Sequence, residues 1–289
     1  MNKKMKKSTI LLILVFIQIR ISAQDKPAYA LFNGKGKKST YTQMVKAMQG
    51  ADIVLFGEYH DNPIVHWLQL ESTKELFSQR PNMVLGAEMF EADVQPLVDR
   101  YVFDSMPEKE FAKSSRAWPN FKTDYKPLLD FAKDKRLQFV ATNIPRKFAS
   151  MVFRGGFEAL DTLSNTQKSW IAPLPPLYDS TLSCYSDIGK AAGMHGGSNL
   201  PKAQAIKDAT MSYFILKNYK PGQLFVHYNG AYHSNNYQSI YWYLKKANPA
   251  LKIVTISTTM QSQLKTLDAD SKGAADFVIV TPEEMTRTH

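Results

Sequence analysis

Asp52-Ile-Val-Leu-Phe-Gly57-Glu58-Tyr59-His60-Asp61 is the stretch that decides the fold. Four apolar residues run without alternation, and then a glycine, an acid and a histidine end the run. Continuous rather than alternating hydrophobicity marks a strand buried on both faces, as in a parallel sheet. Five further runs have the same character: Met83-Val-Leu-Gly-Ala87, Leu137-Gln-Phe-Val-Ala-Thr142, Leu224-Phe-Val-His-Tyr228, Ile253-Val-Thr-Ile-Ser257 and Phe277-Val-Ile-Val280. The stretches between them read as helices. Asn62-Pro63 is an N-cap followed by proline at the first helical position, and Ile64, Trp67, Leu68 and Leu76 continue as a stripe. Ser105-Met-Pro-Glu108 reads as a capping box. Pro145 and Pro201 open two more helices. Alternating strands and helices imply an α/β fold, a mostly parallel sheet covered by helices, in one domain from about residue 30 to residue 289.

One segment breaks the pattern. Residues 172–200 carry Pro173, Pro175, Pro176, Gly189, Gly193, Gly196 and Gly197 and show no clear period. An irregular stretch of this length is a functional loop or is disordered. Its Leu174, Leu177, Tyr178, Leu182, Tyr185 and Met194 favour a lid that packs on something over simple disorder.

The net charge of +10 misleads, because residues 1–23 hold Lys3, Lys4, Lys6, Lys7 and Arg20 and no acid; the rest of the chain is at +5. That mild excess can attract an anionic ligand but is no basic stripe for nucleic acid. The same 23 residues have the regions of a secretory signal: lysines, the apolar run Ile10 to Ile17, and Ser22-Ala23 before a cut that would leave Gln24 first. The expected location is therefore periplasmic or extracellular, with an uncleaved anchor as the alternative because Arg20 lies close to the cut. The single cysteine, Cys184, excludes an internal disulfide framework and multi-cysteine metal sites. It is not near the cut, so the chain is not an evident lipoprotein.

Ligands of open parallel sheets bind beyond the carboxyl ends of the strands. Gly57-Glu58-Tyr59-His60-Asp61, Gly86-Ala87-Glu88-Met89-Phe90, Asn143-Ile144-Pro145-Arg146 and Asn229-Gly230-Ala231-Tyr232-His233 follow four of the runs. The first and last share Gly-x-x-His. Glycine permits a sharp turn at a strand end, and the histidine can then point back over the sheet. Two such turns on neighbouring strands would bring His60 and His233 together as ligands of a divalent transition metal, with Glu58 or Glu88 as a further ligand or as the general base on bound water. The plainer alternative is that each histidine caps its turn. His66, six residues beyond His60, does not share a helical face with it and is read as lying behind the site or on the surface. His195 in the lid could approach a ligand from above or be solvated. His227 lies inside a strand run and reads as a core histidine. Gln204, Asp208 and Met211 share one helical face, either solvated or turned to the site. Cys184 has no matched histidine, and no Gly-rich phosphate loop follows the first strand, which disfavours a nucleotide fold.

These residues, with Gln69, Glu88-Met89-Phe90, Gln204-Ala-Ile-Lys-Asp208-Ala-Thr-Met211 and Gly230-Ala-Tyr-His233, resemble the ChaN-type haem-binding proteins of the Tiki/ChaN superfamily over roughly residues 45 to 260. The resemblance implies an α/β core, haem held near a homodimer interface with a tyrosine axial ligand, and a part in iron acquisition beside an outer-membrane haem-uptake system. Tyr59, Tyr185, Tyr228, Tyr232 and Tyr237 are all open as that ligand. Tyr185, Tyr232, His195 and Arg146 are the expected cofactor-binding residues, and Lys147 and Arg154 are further cations for the propionates. More distant members of the superfamily resemble metal-dependent proteases and esterases. The alternative function is therefore a metal-dependent hydrolase with His60 and His233 on the metal and Glu58 and Glu88 as acids.

Overall fold

A computed structural model describes residues 26–192 and 199–288. The signal-like segment and His195 lie outside the described residues. Seven strands form one sheet: β1 (Ala30–Asn33), β2 (Ile53–Glu58), β3 (Met83–Glu91), β4 (Phe139–Asn143), β5 (Leu224–Gly230), β6 (Ile253–Gln261) and β7 (Phe277–Pro282). Their spatial order is β1-β7-β6-β2-β5-β3-β4. All neighbours are parallel except β1, which pairs antiparallel with β7. All six apolar runs are strands, and each continues past the run, into Glu58, Glu91, Asn143, Gly230, Gln261 and Pro282. The seventh strand, β1, has only four residues and no run of its own; it exists because β7 offers it an edge.

The helices are α1 (Tyr41–Gln49), α2 (Pro63–Gln79), α3 (Gln95–Phe103), α4 (Glu108–Ser114), α5 (Lys126–Lys135), α6 (Arg146–Gly155), α7 (Asn165–Lys168), α8 (Ser183–Ala192), α9 (Leu200–Asn218) and α10 (Ile240–Ala247). None of the described helices is long and apolar enough to cross a membrane. Successive strand residues point to opposite faces, and the core divides accordingly. Val54, Phe56, Leu85 and Val226 pack with side chains of α1 to α5. Ile53, Leu55, Val84 and Phe225 pack with Met211, Phe214 and Ile215 of α9 and with Ile240 and Leu244 of α10. Burial on both faces is why β2 reads as an unbroken apolar run.

Two local readings need correction. Asn62 does cap α2, accepting from the Val65 N–H at 3.1 Å, but Ser105 makes no capping box. Pro107 occupies the N-cap of α4 with no side-chain hydrogen bond, so the serine stands too early to reach the helix. The lid stretch is also not wholly irregular, because its second half holds α8. Few of its residues are buried, which leaves little periodic signal; Tyr185 is the large side chain that anchors it.

Candidate functional site

The strand order decides the site. β2, β5, β3 and β4 are consecutive, and Glu58 at the end of β2 stands opposite Gly230 at the end of β5. The two Gly-x-x-His turns are therefore neighbours. The β3–β4 register shifts between Ala87 and Glu91, and such irregularities re-aim a side chain at a strand end. Glu88 lies in this shift and accepts the Gly230 N–H at 2.7 Å. Both glycines are close-approach positions. A Cβ on Gly57 would stand 2.8 Å from the Ile256 carbonyl oxygen and 2.9 Å from Ala231 Cα, and one on Gly230 would stand 3.0 Å from His60 Nε2 and 3.6 Å from Glu88 Oε2. Without a side chain at 230, the His60 ring and the Glu88 carboxylate meet over the end of β5.

A cleft of about 870 Å³ opens there, toward the upper end of the roughly 300–1,000 Å³ range of small-molecule sites. Glu58, Tyr59, His60, Glu88, Arg146, Tyr232 and His233 all line it. Met89, Trp118, Pro119, Ile144 and Ala149 give it apolar walls, and Lys147 and Lys207 add to the basic side.

Two hydrogen-bonded clusters stand in the cleft. In the first, His60 Nδ1 donates to Glu58 Oε1 at 2.9 Å. Glu58 is buried and also accepts Tyr125 OH at 2.9 Å and Gln69 Nε2 at 2.7 Å. Trp118 packs edge-on against the His60 ring at 4.8 Å. Burial alone would lower the His60 pKa, but the Glu58 hydrogen bond and the charges of Glu88 and Glu58 outweigh it and raise it. Tyr125 reaches Glu58 from a single π-helical turn, Phe121–Tyr125, a rare form that is frequent at functional sites.

In the second cluster, His233 Nδ1 donates to Asp208 Oδ1 at 2.6 Å, and Nε2 faces Glu88 Oε1 at 3.3 Å. Burial opposes a charged ring here too, but the Glu88 and Asp208 charges push the His233 pKa up to about 10. The ring is a cation at neutral pH. Glu88 is held well below the ordinary carboxylate range: burial resists its charge, and His233, His60 and the Gly230 N–H overcome that. Asp208 also accepts Tyr185 OH at 2.7 Å. Of the two readings of the Gln204–Asp208 face, the structure chooses the site side.

The other predicted residues fall as follows. Tyr185 is fully buried, its hydroxyl serves Asp208, and it is not on the cleft lining. Tyr228 is buried against Thr73, and Tyr237 donates to Asp276 at 3.1 Å. Tyr59 and Tyr232 are the half-exposed phenols on the lining, and the Tyr232 hydroxyl donates to the Cys184 carbonyl of the lid. Arg154 does not line the cleft. His66 is buried, not at the surface, and supports the turn by donating from Nε2 to the His60 carbonyl at 3.2 Å. His227 is a core residue between Thr142 and Asn229, and burial pushes its pKa down to about 4.

Among the described residues, no group of three or more His, Cys, Asp and Glu side chains is arranged to hold a metal ion. At His233 both ring nitrogens already face carboxylates, Asp208 at 2.6 Å and Glu88 at 3.3 Å. Sequence reading missed Trp118, Tyr125 and Lys207. Trp118 lies in an aperiodic connection, Tyr125 in the short π-helical turn before α5, and Lys207 on a helix buried on most sides, so no local pattern marks them.

Residues 44–244 match the family model described as haem-binding uptake, Tiki superfamily, ChaN. No curated protein matches the sequence. Among solved structures, the ChaN protein of Campylobacter jejuni, described as binding haem cofacially, superposes with a TM-score of 0.66 at 17% identity, over 88% of this chain and 96% of its own. A Bacillus cereus protein superposes with a TM-score of 0.51 at 10% identity, over 88% and 95%. A succinoglycan biosynthesis protein does so with 0.51 at 9% identity, over 88% and 94%. At these identities the likeness is one of fold.

Proposed function

The chain belongs to the haem-binding uptake family of the Tiki superfamily, ChaN, and from that premise we propose that it binds haem in the cleft beyond β2, β5, β3 and β4, as an exported protein of iron and haem acquisition. The observation that carries the reading is the make-up of the cleft: an apolar wall of Met89, Trp118 and Ile144, two half-exposed phenols, and Arg146, Lys147 and Lys207 on the same lining. Haem, when bound, would supply an iron that takes an oxygen or nitrogen donor from the protein. Its two propionates call for cations.

The residues present fit the group. Asn143 Oδ1 and Gln204 Oε1 are buried in the cleft wall without hydrogen-bond partners, polar capacity that a bound molecule or its waters can use. Tyr59 would hold the haem iron in this reading. It sits on the turn between Glu58 and His60, whereas the Tyr232 hydroxyl is already bonded to the lid. Arg146, Lys147 and Lys207 would pair with the propionates. Export through residues 1–23, a homodimer and an outer-membrane haem-uptake partner belong to the same proposal. Haemin titration should give a saturable Soret shift with the absorption of ferric tyrosinate ligation. A spectrum that stays that of free haemin through several equivalents would remove the reading.

One observation favours a second reading, hydrolysis. The His60 ring is oriented through Nδ1 by a buried Glu58, the arrangement of a general base held by a carboxylate. His60 would take a proton from water as the water attacks an ester carbonyl, and return it to the leaving alkoxide. The metal-dependent form of this reading has no support from the donor arrangement. The test is hydrolysis of 4-nitrophenyl esters in the presence of a chelator, with a loss of about 100-fold or more in His60→Ala. Turnover no faster than buffer, or equal in the variant, would dismiss it.

A further inference from the structure

The turn that carries Tyr59 and His60 is held from behind by a distant part of the chain. All three of its carbonyls have donors, and that of Tyr59 accepts the Asn62 backbone N–H at 3.1 Å. The His60 carbonyl accepts Asn120 Nδ2 at 2.7 Å, His66 Nε2 at 3.2 Å and Tyr125 OH at 3.4 Å. The Asp61 carbonyl accepts the backbone N–H of Thr288 at 3.1 Å, and its carboxylate pairs with Arg287 Nη1 at 3.0 Å. Thr288 Oγ1 donates to Asp124 Oδ2 at 2.7 Å, the same oxygen that takes Asn120 Nδ2 at 2.7 Å. Nearer the sheet, Asn62 Nδ2 donates to Thr281 Oγ1 of β7 at 2.8 Å. The segment after β7 thus passes to the end of β2 and closes a chain of bonds from Thr288 through Asp124 and Asn120 to the His60 carbonyl.

We infer that residues Met285–Thr288 form a strap that fixes the Tyr59–Asp61 turn, with Asp61, Asp124 and Thr288 as positioning residues for the cleft. None of the three lines the cleft, so their effect on a ligand runs through the turn. The Arg287–Asp61 pair has a half-exposed arginine, and such pairs contribute little. Asp124 is buried, and its carboxylate makes the Thr288 and Asn120 bonds charge-assisted. These bonds carry the restraint. Without Thr288 the Asp61 carbonyl loses its protein donor, and the Asp124 oxygen keeps Asn120 alone of the two. Losing the strap's bonds lets the turn open locally, without unfolding of the sheet.

The test is amide hydrogen exchange on the full chain, on Thr288→Ala and Thr288→Ser, and on a chain ending before residue 286. Exchange over residues 59–66 should quicken about tenfold in Thr288→Ala and in the shortened chain, the effect of losing one or two hydrogen bonds. Residues 229–237 should stay as in the parent, and Thr288→Ser should keep the slow rate. Haemin affinity should fall in parallel with the 59–66 rate. That arm rests on the haem reading; a full chain that ignores haemin would end that reading and leave the exchange result to judge the strap. Unchanged exchange over 59–66, or equal acceleration over 229–237, would overturn the strap.

Discussion

Asp208→Ala should cost about 3–5 kcal/mol of stability, the usual effect of removing one partner of a buried charge pair. Asp208 is fully buried and accepts from His233 Nδ1 at 2.6 Å and from Tyr185 OH at 2.7 Å. Its removal leaves the His233 cation with Glu88 alone, at 3.3 Å, and a buried phenol without an acceptor. Urea unfolding across pH separates the two losses. His233 has a raised folded pKa, so its contribution is complete below its unfolded value of 6.5, declines above it, and is gone beyond about pH 10. The ionic share of the Asp208→Ala penalty should shrink across that window, while the Tyr185 share persists. Glu88 has the opposite sign. Its pKa is depressed, so its contribution is present above the ordinary carboxylate value of 4.5 and is lost as the pH falls through a folded value well below that. A variant as stable as the parent at pH 6 would mean that His233 is not held as a cation.

Tyr59→Phe should abolish the tyrosinate absorption of the haemin complex and weaken binding by more than about 100-fold, exceeding the 10–100-fold typical of losing a residue that only supports a metal ligand. Tyr232→Phe should be the milder change. Its hydroxyl donates to the Cys184 carbonyl, and burial raises its pKa, so becoming a tyrosinate would cost it both a hydrogen bond and a proton held tightly. Tyr185→Phe should leave the spectrum alone and lower stability, because that hydroxyl serves Asp208. Should Tyr232→Phe erase the absorption while Tyr59→Phe keeps it, the axial assignment belongs to Tyr232 and the lid contact must open on binding.

The sequence by itself determined the fold class, six of the seven strands, and the positions of Glu58, His60, Glu88 and His233 at or near the carboxyl ends of strands. Those features are local: an unbroken apolar run is a strand with both faces covered, and a glycine at its end is a sharp turn. Family resemblance pointed to haem from the order of the same short motifs. Tertiary structure alone decided which of these ends meet. The order β2-β5-β3-β4 sets Gly230 between Glu58 and Glu88, and strand order is fixed by burial between segments far apart in the chain, which no local period encodes. It also decided that Asp208 faces inward and that Tyr185 is its buried partner. The placement of Trp118 against His60, and of Thr288 behind the His60 turn, came from packing as well. A tyrosine has the same letter whether it lines a cleft or holds a carboxylate behind it. Only the packing around its hydroxyl distinguishes the two.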